Sequence, residues 1–168
     1  MGGVPLKQGL PAAAVAIALG WIAWLWLAPD QAFFLLFDDS FYYLEIARHI
    51  VAGQGSTFDG IHPTNGYHPL WMAVCTAVMA LGADTDTAPR LLLTGQLLAW
   101  AGVLVALLRR ARGLLPGLAV VLLGTHPFLR KAVANGMEST AVVVAWAGVL
   151  LLASGRDLLA PDAGRERG

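Results

Sequence analysis

The sequence predicts an all-α membrane protein with about four transmembrane helices and two juxtamembrane helices in its first loop. Of the 168 residues, 57% are hydrophobic and only 13% are charged, and the mean hydropathy is +0.64. This number of polar side chains is too small to cover the surface of a water-soluble domain of this length. The bilayer must therefore be the solvent for much of the chain. Basic and acidic residues balance at 11 each, and the net charge therefore indicates no nucleic-acid partner.

Four apolar stretches are predicted to cross the membrane, since a spanning helix needs about 20 mainly apolar residues. They are residues 10–28, 91–108, 114–129 and 139–153. The last two are short and require snorkelling flanks or a locally thinner bilayer. The first contains Trp21, Trp24 and Trp26 and ends without a small-residue cleavage site, which favours a retained span over a signal peptide.

The distribution of basic residues predicts the topology. A fifth apolar stretch, residues 69–81, could cross the membrane or lie flat on it. If it lies flat, the cytoplasmic side holds seven basic residues: Lys7, Arg109, Arg110, Arg112, Arg156, Arg165 and Arg167. If it crosses, that side holds only Lys7, Arg90, Arg130 and Lys131. The positive-inside rule prefers the flat arrangement, with both termini cytoplasmic and residues 154–168 forming a disordered tail.

The long segment between the first two spans is expected to contain two surface helices. The first, residues 41–52, would begin at an N-cap of Asp39 or Ser40 and stop at Gly53. Its predicted apolar side comprises Phe41, Leu44, Ala47, Ile50 and Val51, and its polar side Glu45, Arg48 and His49. This is the pattern of an interfacial helix. The second, residues 69–81, would open at Pro69 after a glycine-rich loop.

Acidic residues at the outer membrane boundary are candidates for chemistry. Asp38 and Asp39 directly follow an apolar run, where desolvation and mutual repulsion both disfavour two carboxylates. They could cap a helix in a solvated turn, or serve as a general base or cation ligand. Glu138 lies in the turn before the fourth span, on the same face, and could cap that helix, take part in catalysis, or do both.

Basic and histidine residues on the same face offer weaker signals. Arg90, Arg130 and Lys131 could hold the phosphate of an anionic lipid, although snorkelling is the commoner role of such residues. A zinc site built from His49, His62 and His68 with Asp38 or Asp39 is conceivable, but the His62–His68 spacing matches no compact metal motif, so no metal ligand is predicted.

Two further residues are expected to have structural roles. His126, in Thr125-His126-Pro127, should form a local hydrogen bond where the third helix is interrupted. Cys75 is the single cysteine, so no disulfide framework exists, and it is expected to pack as a small hydrophobic residue.

The segment Asp38-Asp39-Ser40-Phe41-Tyr42-Tyr43-Leu44-Glu45-Ile46-Ala47-Arg48 resembles the first extracytoplasmic loop of the GT-C class of membrane glycosyltransferases. That class includes protein O-mannosyltransferases and the aminoarabinose transferase that acts on lipid A. The shared pattern is an acidic pair, a tyrosine a few residues on, and an Ala-Arg on a juxtamembrane helix. Pro63-Thr64-Asn65-Gly66-Tyr67-His68-Pro69-Leu70-Trp71 continues the likeness, and Asn135-Gly136-Met137-Glu138-Ser139 is similar to the acidic second loop. The resemblance extends over about residues 38–153, and the first loop is its specific part.

The resemblance implies an inverting transfer of a sugar from a polyprenyl-phosphate carrier to an acceptor hydroxyl on the outer face. By likeness, Asp38 is the catalytic base, Asp39 orients it or the acceptor, and Glu138 supports the site. By the same likeness, Arg48 and His68 are candidate contacts with carrier or substrate. The further candidate substrate-binding residues are Tyr42, Asn65, Arg90, Arg130 and Lys131. No cofactor beyond the lipid-linked donor is implied, although a divalent metal could offset the charge on the leaving phosphate.

Members of the GT-C class usually have well over four spans, so the chain is expected to contain only part of an active site. Its expected partners are membrane lipid, a polyprenyl-phosphate sugar and the remaining helices of a split enzyme. The alternative is a non-enzymatic membrane subunit that binds lipid or a partner protein. A small ion carrier is disfavoured because residues 10–28, 91–108 and 139–153 contain no ionisable residue in mid-span.

The topology can be tested with reporter fusions after Gly60, Asp86 and Gly168. We expect the first two reporters on the outer face and the third in the cytoplasm, because seven basic residues then lie inside. An alkaline phosphatase and a fluorescent protein fused at each position read the two compartments separately. Opposite results for Asp86 and Gly168 would rule out the four-span arrangement.

Overall fold

The computed structural model describes residues 6–28, 33–111 and 114–155. In these ranges the chain is helical and contains no β-strand. The α-helices described are α1 (Leu6–Leu27), α2 (Asp38–Val51), α3 (Pro69–Ala80), α4 (Thr87–Arg110), α5 (Leu114–Thr125), α6 (Pro127–Val133) and α7 (Ser139–Gly155), with a 3₁₀ turn at Phe33–Leu35. The predicted all-α class is confirmed for the described chain, whereas the predicted tail, residues 154–168, lies almost wholly outside it.

In the described part of the chain, two helices are long and apolar enough to cross a membrane. They are Gly9–Leu27 within α1, with 19 residues, and α4, with 24 residues. α7 is apolar but has 17 residues, about 26 Å at 1.5 Å per residue, a little short of a hydrocarbon core of about 30 Å. Association with a membrane is therefore supported by α1 and α4.

The third predicted span is not one helix. α5 ends at Thr125 and α6 begins at Pro127, because the proline ring disfavours a helical conformation at His126 and removes a backbone donor. His126 is the N-cap of α6, and its Nδ1 accepts a hydrogen bond from the backbone N–H of Phe128 at 3.2 Å. The interruption of the third helix and the local role predicted for His126 are confirmed.

α4 is the central helix of the packing. It lies against α1, α3, α5, α6 and α7, while α2 packs mainly on α3. Leu93 of α4 is fully buried with Leu25 of α1 and with Leu36 just before α2. A second cluster joins Tyr43 and Ile46 of α2 to α3 and to the first turns of α4. α2 and α3 are thereby held at the N-terminal end of α4.

α2 begins earlier than predicted and without the predicted cap. Its N-cap is Phe37, which makes no side-chain cap hydrogen bond, so Asp38, Asp39 and Ser40 all lie in the first turn. Ser40 is fully buried, and its Oγ donates to the carbonyl oxygen of Asn135 at 2.8 Å. The prediction of a Ser40 or Asp39 cap is wrong, because a partner distant in the sequence occupies the serine hydroxyl.

The two sides predicted for α2 are wrong in part. The buried side is formed by Tyr43, Ile46 and Ala47, at helical spacings of three and four, rather than by Phe41 and Val51. Phe41 and Val51 are 42% and 46% exposed. His49, predicted on the polar side, is only 7% exposed and is hydrogen-bonded to Gln54 and Glu45. α3 and the loop after α2 cover this face, which rotates the buried stripe from its predicted position.

The turn before α7 is pressed against the start of α2. Gly136 adopts φ +79°, and a Cβ atom there would lie 2.5 Å from Cδ2 of Leu36 and 2.6 Å from Oγ of Ser40. The backbone N–H of Phe37 donates to the carbonyl oxygen of Asn135 at 3.2 Å. Only glycine fits this position, because it needs both a left-handed backbone and close approach.

Gly136→Ala should destabilise the protein by about 2–4 kcal/mol, through left-handed strain and overpacking together. The matched control is Gly53→Ala, since Gly53 has φ +76° but nothing within 4 Å of a Cβ atom. The control should lose only about 1 kcal/mol from backbone strain. Unfolding by sodium dodecyl sulfate, followed by tryptophan fluorescence, measures both. Equal losses for the two variants would contradict the close packing of the turn.

Candidate functional site: an acidic cleft

An open cleft of about 550 Å³ lies between α2, the start of α3 and the turn before α7. Its lining residues come from three parts of the chain: Asp39, Tyr42 and Tyr43 from α2, Gly66, Tyr67 and His68 from the loop before α3, and Met137 and Glu138 from the turn. Four of the residues singled out from the sequence, Asp39, Tyr42, His68 and Glu138, therefore meet here.

The helical spacing of α2 decides which of the two adjacent acids faces the cleft. Asp39, Tyr42 and Tyr43 are three and four residues apart, so they project from one face of the helix. Asp38 is turned from this face by about 100°, is exposed, and is not among the residues that line the cleft. The geometry thus places Asp39, and not Asp38, in the lining of the cleft that also contains Glu138.

Glu138 and His68 face each other across the cleft. The Nε2 atom of His68 lies 3.3 Å from Oε1 of Glu138, with side chains 71% and 27% exposed respectively. The other carboxylate oxygen, Oε2, is buried and has no hydrogen-bond partner among the described residues. The carboxylate thus keeps one acceptor oxygen without a partner in the described part of the chain.

The hydroxyl of Tyr43 lies near both cleft acids. It accepts a hydrogen bond from the backbone N–H of His68 at 2.8 Å. Burial raises the pKa of Tyr43, the His68 hydrogen bond works in the opposite direction, and the negative charges of Glu138 and Asp39 raise the pKa further. The phenol therefore stays protonated at neutral pH and can donate a hydrogen bond.

The loop after α2 is tied to the cleft by hydroxyl groups. The Tyr42 hydroxyl lies 2.7 Å from Oγ1 of Thr64, and the Ser56 hydroxyl bonds to the carbonyl oxygen of Thr64 at 2.6 Å and the Tyr67 hydroxyl at 2.7 Å. Tyr42 also stacks on Phe58, with ring centroids 5.0 Å apart. These contacts hold the Tyr42 and Tyr67 rings in the cleft wall.

The turn that carries Glu138 is held by the buried amide of Gln96 in α4. Oε1 of Gln96 accepts from the backbone N–H groups of Asn135 at 3.1 Å and Gly136 at 2.9 Å, and Nε2 donates to the carbonyl oxygen of Met137 at 2.6 Å. Trp71 of α3 adds a hydrogen bond from Nε1 to the carbonyl oxygen of Gly136 at 2.9 Å. The turn is thus fixed to α3 and α4 at once.

Arg48 and Asn65 lie outside the cleft lining. Arg48 forms a bidentate pair with Glu45, at 2.6 Å from Nη2 to Oε1 and 3.0 Å from Nε to Oε2. This hydrogen bonding lowers the pKa of the Glu45 carboxyl, while partial burial acts against it. Asn65 is exposed next to Gly66. Arg48 is therefore already paired, and neither residue joins Asp39 and Glu138.

The three predicted phosphate-binding residues also lie away from the cleft lining. The guanidinium of Arg130 lies over the Trp21 ring, 3.4 Å from its centroid, a cation–π contact. Arg90 and Arg130 are partly buried, and each has a buried Nε without a hydrogen-bond partner among the described residues. Lys131 is exposed.

The histidines are not brought together. Nδ1 of His62 lies 2.7 Å from Oδ2 of Asp59, His49 bonds to Gln54, and His68 faces Glu138. The described ranges contain no group of three or more His, Cys, Asp or Glu side chains that could hold a metal ion, so the zinc alternative gains no support.

Cys75 is fully buried, as predicted. Burial raises its pKa to about 12, and the thiol is therefore unreactive at neutral pH.

Sequence reasoning missed Tyr43, Tyr67, Trp71 and Gln96. A usable signal existed for Gln96, an amide inside an otherwise apolar predicted span, since a polar group there needs a partner. Tyr43 follows Asp39 by four residues, which also places it on the face of that acid. Nothing local in the sequence indicates the contacts of Tyr67 and Trp71.

Comparisons with models of protein families, with curated protein sequences and with solved structures gave no match.

Gln96→Leu should cost about 3 kcal/mol of unfolding free energy, because it leaves two backbone N–H groups and one carbonyl unsatisfied in a buried place. Thr94→Val is the control in the same helix. It removes only the exposed hydrogen bond from Trp26 Nε1 at 3.1 Å and should cost about 1 kcal/mol or less. Dodecyl sulfate unfolding compares the two. Similar small losses would show that Gln96 does not hold the turn.

Proposed function

We propose that this chain is the N-terminal membrane module of a GT-C-type glycosyltransferase. In this proposal a sugar passes from a polyprenyl-phosphate carrier to an acceptor hydroxyl on the outer face, with inversion at the anomeric carbon. The four-span topology with cytoplasmic termini belongs to the same proposal. In this proposal, further helices complete the active site.

One observation supports the proposal. Asp39, in the segment that resembles the first GT-C loop, and Glu138, in the turn before α7, line the same cleft. Asp39 and Glu138 are remote in the sequence, yet they share it with His68, Tyr42 and Tyr43. The two segments that resemble GT-C loops thus supply one candidate site. The packing of the helices does not require these two acidic side chains to lie in one cleft, because carboxylates near a bilayer are more stable when each is solvated separately.

The cleft is suited to deprotonating an acceptor hydroxyl. A carboxylate takes the hydroxyl proton as the acceptor oxygen forms a bond to the anomeric carbon. The bond between that carbon and the carrier phosphate breaks, and the phosphate leaves with the electron pair. Hydrogen bonds from the Tyr43 and Tyr42 hydroxyls can orient the acceptor, and this positioning lowers the barrier.

Asp39 is the carboxylate that the cleft favours as the base. The resemblance assigns that role to Asp38, which remains a prediction, but Asp38 is not among the residues that line the cleft. A general base must come within hydrogen-bond reach of the proton that it removes. Asp39 meets this requirement for an acceptor bound in the cleft. For Asp38 to act as the base, the acceptor would have to bind elsewhere.

The charge of the carrier phosphate must be balanced elsewhere. Among the described residues, the cleft lining contains His68 as its only basic side chain. Arg90 and Arg130, each with a buried unpartnered Nε in the described part of the chain, are the candidates this module offers for the carrier. The acidic cleft is accordingly the acceptor side of the reaction in this proposal.

A non-enzymatic lipid-binding subunit is the second candidate function. An apolar groove that opens beside the cleft favours it, with Leu70 87% exposed and Val142 51% exposed in its walls. Such a subunit would bind lipid without transferring sugar, so the transfer experiment separates the two candidates.

Asp39→Asn should lower sugar transfer by roughly 10²–10⁴-fold, because an amide cannot accept the proton. Asp38→Asn, the same change one residue away on the same helical turn, is the matched control and should keep most of the activity. Each variant replaces the native chain in its own membranes, which supply any further helices. Transfer from radiolabelled polyprenyl-phosphate mannose and polyprenyl-phosphate glucose is then measured at matched chain levels.

Two results would contradict the assignment in different ways. Loss of transfer in Asp38→Asn alone would show that Asp38, and not Asp39, is the general base. Unchanged transfer in both variants and in Glu138→Gln would refute an enzymatic role for the cleft and favour the lipid-binding subunit.

A further inference from the structure

An apolar groove leads out of the acidic cleft between α3 and α7. One part, of about 370 Å³, has walls formed by Leu70, Trp71 and Val74 of α3 and Ala141, Val142 and Ala145 of α7. A second part, of about 280 Å³, reaches α4 and shares Trp71, Val74 and Ala141 with the first. The two parts form one continuous apolar surface.

The cleft and the groove are connected at their polar end. His68 and Glu138 line both of them. A ligand whose polar group sits between Asp39 and Glu138 would therefore have the groove directly beside it. The contiguity of the two surfaces fits an amphiphile, with a polar head in the cleft and a hydrocarbon chain in the groove.

The charges of the residues that line the cleft determine which type of lipid headgroup can bind there. Two carboxylates, Asp39 and Glu138, face one histidine, and no Arg or Lys among the described residues lines the cleft. A phosphate head would be repelled by these carboxylates. Hydroxyl groups fit instead, because they donate to carboxylates, and the hydroxyls of Tyr42, Tyr43 and Tyr67 can both donate and accept.

We propose that the cleft and groove together bind a membrane lipid with an uncharged, polyhydroxylated headgroup, and that this lipid is the acceptor. The headgroup lies at Asp39 and Glu138, and one hydrocarbon chain lies along Trp71, Val74 and Ala141. The assignment as acceptor rests on the proposed function, whereas the binding can be measured without any transfer.

The test uses the purified full chain in phosphatidylcholine nanodiscs. Three photoreactive lipids, each with a diazirine in one acyl chain, are added in trace amounts: a monoglucosyl diacylglycerol, phosphatidylglycerol and phosphatidylcholine. Phosphatidylglycerol is the matched control because its head carries hydroxyls together with a negative charge. Mass spectrometry locates the label after irradiation.

We expect the glucosyl lipid to label α3 and α7 around Val74 and Ala141 roughly tenfold more than phosphatidylglycerol, the ratio that about 1.4 kcal/mol of repulsion gives. The double variant Asp39→Asn with Glu138→Gln should raise labelling by phosphatidylglycerol, because the repulsion is removed.

Tryptophan substitutions test the groove from both walls. Ala141→Trp and Val74→Trp should each suppress labelling by the glucosyl lipid. Both residues are exposed, Val74 by 43%, so the larger side chain can enter the groove without disturbing the core. Leu150→Trp, at a 64% exposed position of α7 outside the groove walls, should leave the labelling unchanged.

The outcomes separate this inference from the proposed function. The inference is overturned if phosphatidylglycerol labels the groove as strongly as the glucosyl lipid does. It is also overturned if labelling by the glucosyl lipid is unchanged in both Ala141→Trp and Val74→Trp. Selective labelling together with unchanged transfer in Asp38→Asn, Asp39→Asn and Glu138→Gln supports the lipid site and refutes an enzymatic role for the cleft. Transfer to a water-soluble acceptor without selective labelling refutes the lipid site and leaves the enzymatic proposal standing.

Discussion

The arrangement depends on one buried amide. Gln96 is 3% exposed in the long apolar helix α4, and its side chain bonds to three backbone groups of the turn at Asn135, Gly136 and Met137. Backbone polar groups away from water must find partners, because each unsatisfied group costs about 1–3 kcal/mol. The backbone groups of the turn are the hydrogen-bond partners of the Gln96 amide, and the amide is their partner in return. The turn and the Gln96 side chain are therefore held together. Glu138, the next residue, is positioned as a consequence.

The same turn also determines where α2 lies. Its Asn135 carbonyl accepts from Ser40 and from the backbone of Phe37, and Gly136 leaves room for this approach. α2 is thereby held so that Asp39 and Glu138 line the same cleft. Two carboxylates that would otherwise repel each other are kept in one cleft by hydrogen bonds that do not involve them. Interactions outside the cleft thus hold both carboxylates in its lining.

Much of the fold could be predicted from local sequence signals. Apolar length predicted α1 and α4, Pro69 predicted the start of α3, and Thr125-His126-Pro127 predicted the interruption between α5 and α6. These features follow from short-range physics: the hydrophobic effect, the geometry of proline and the length of a helical turn. The candidate acids were also visible in the sequence, because charge beside an apolar run is conspicuous.

The tertiary structure alone decided which acid faces the cleft, why Ser40 does not cap α2, and why His49 is buried. Each of these depends on a partner that packing brings close, such as Asn135 for the Ser40 hydroxyl. The sequence by itself determined the approximate positions of the helices and part of the cleft lining, namely Asp39, Tyr42, His68 and Glu138. The rotation of α2 and the meeting of Asp39 with Glu138 were decided by packing, because a helix presents every side in turn and only its neighbours select which side is buried.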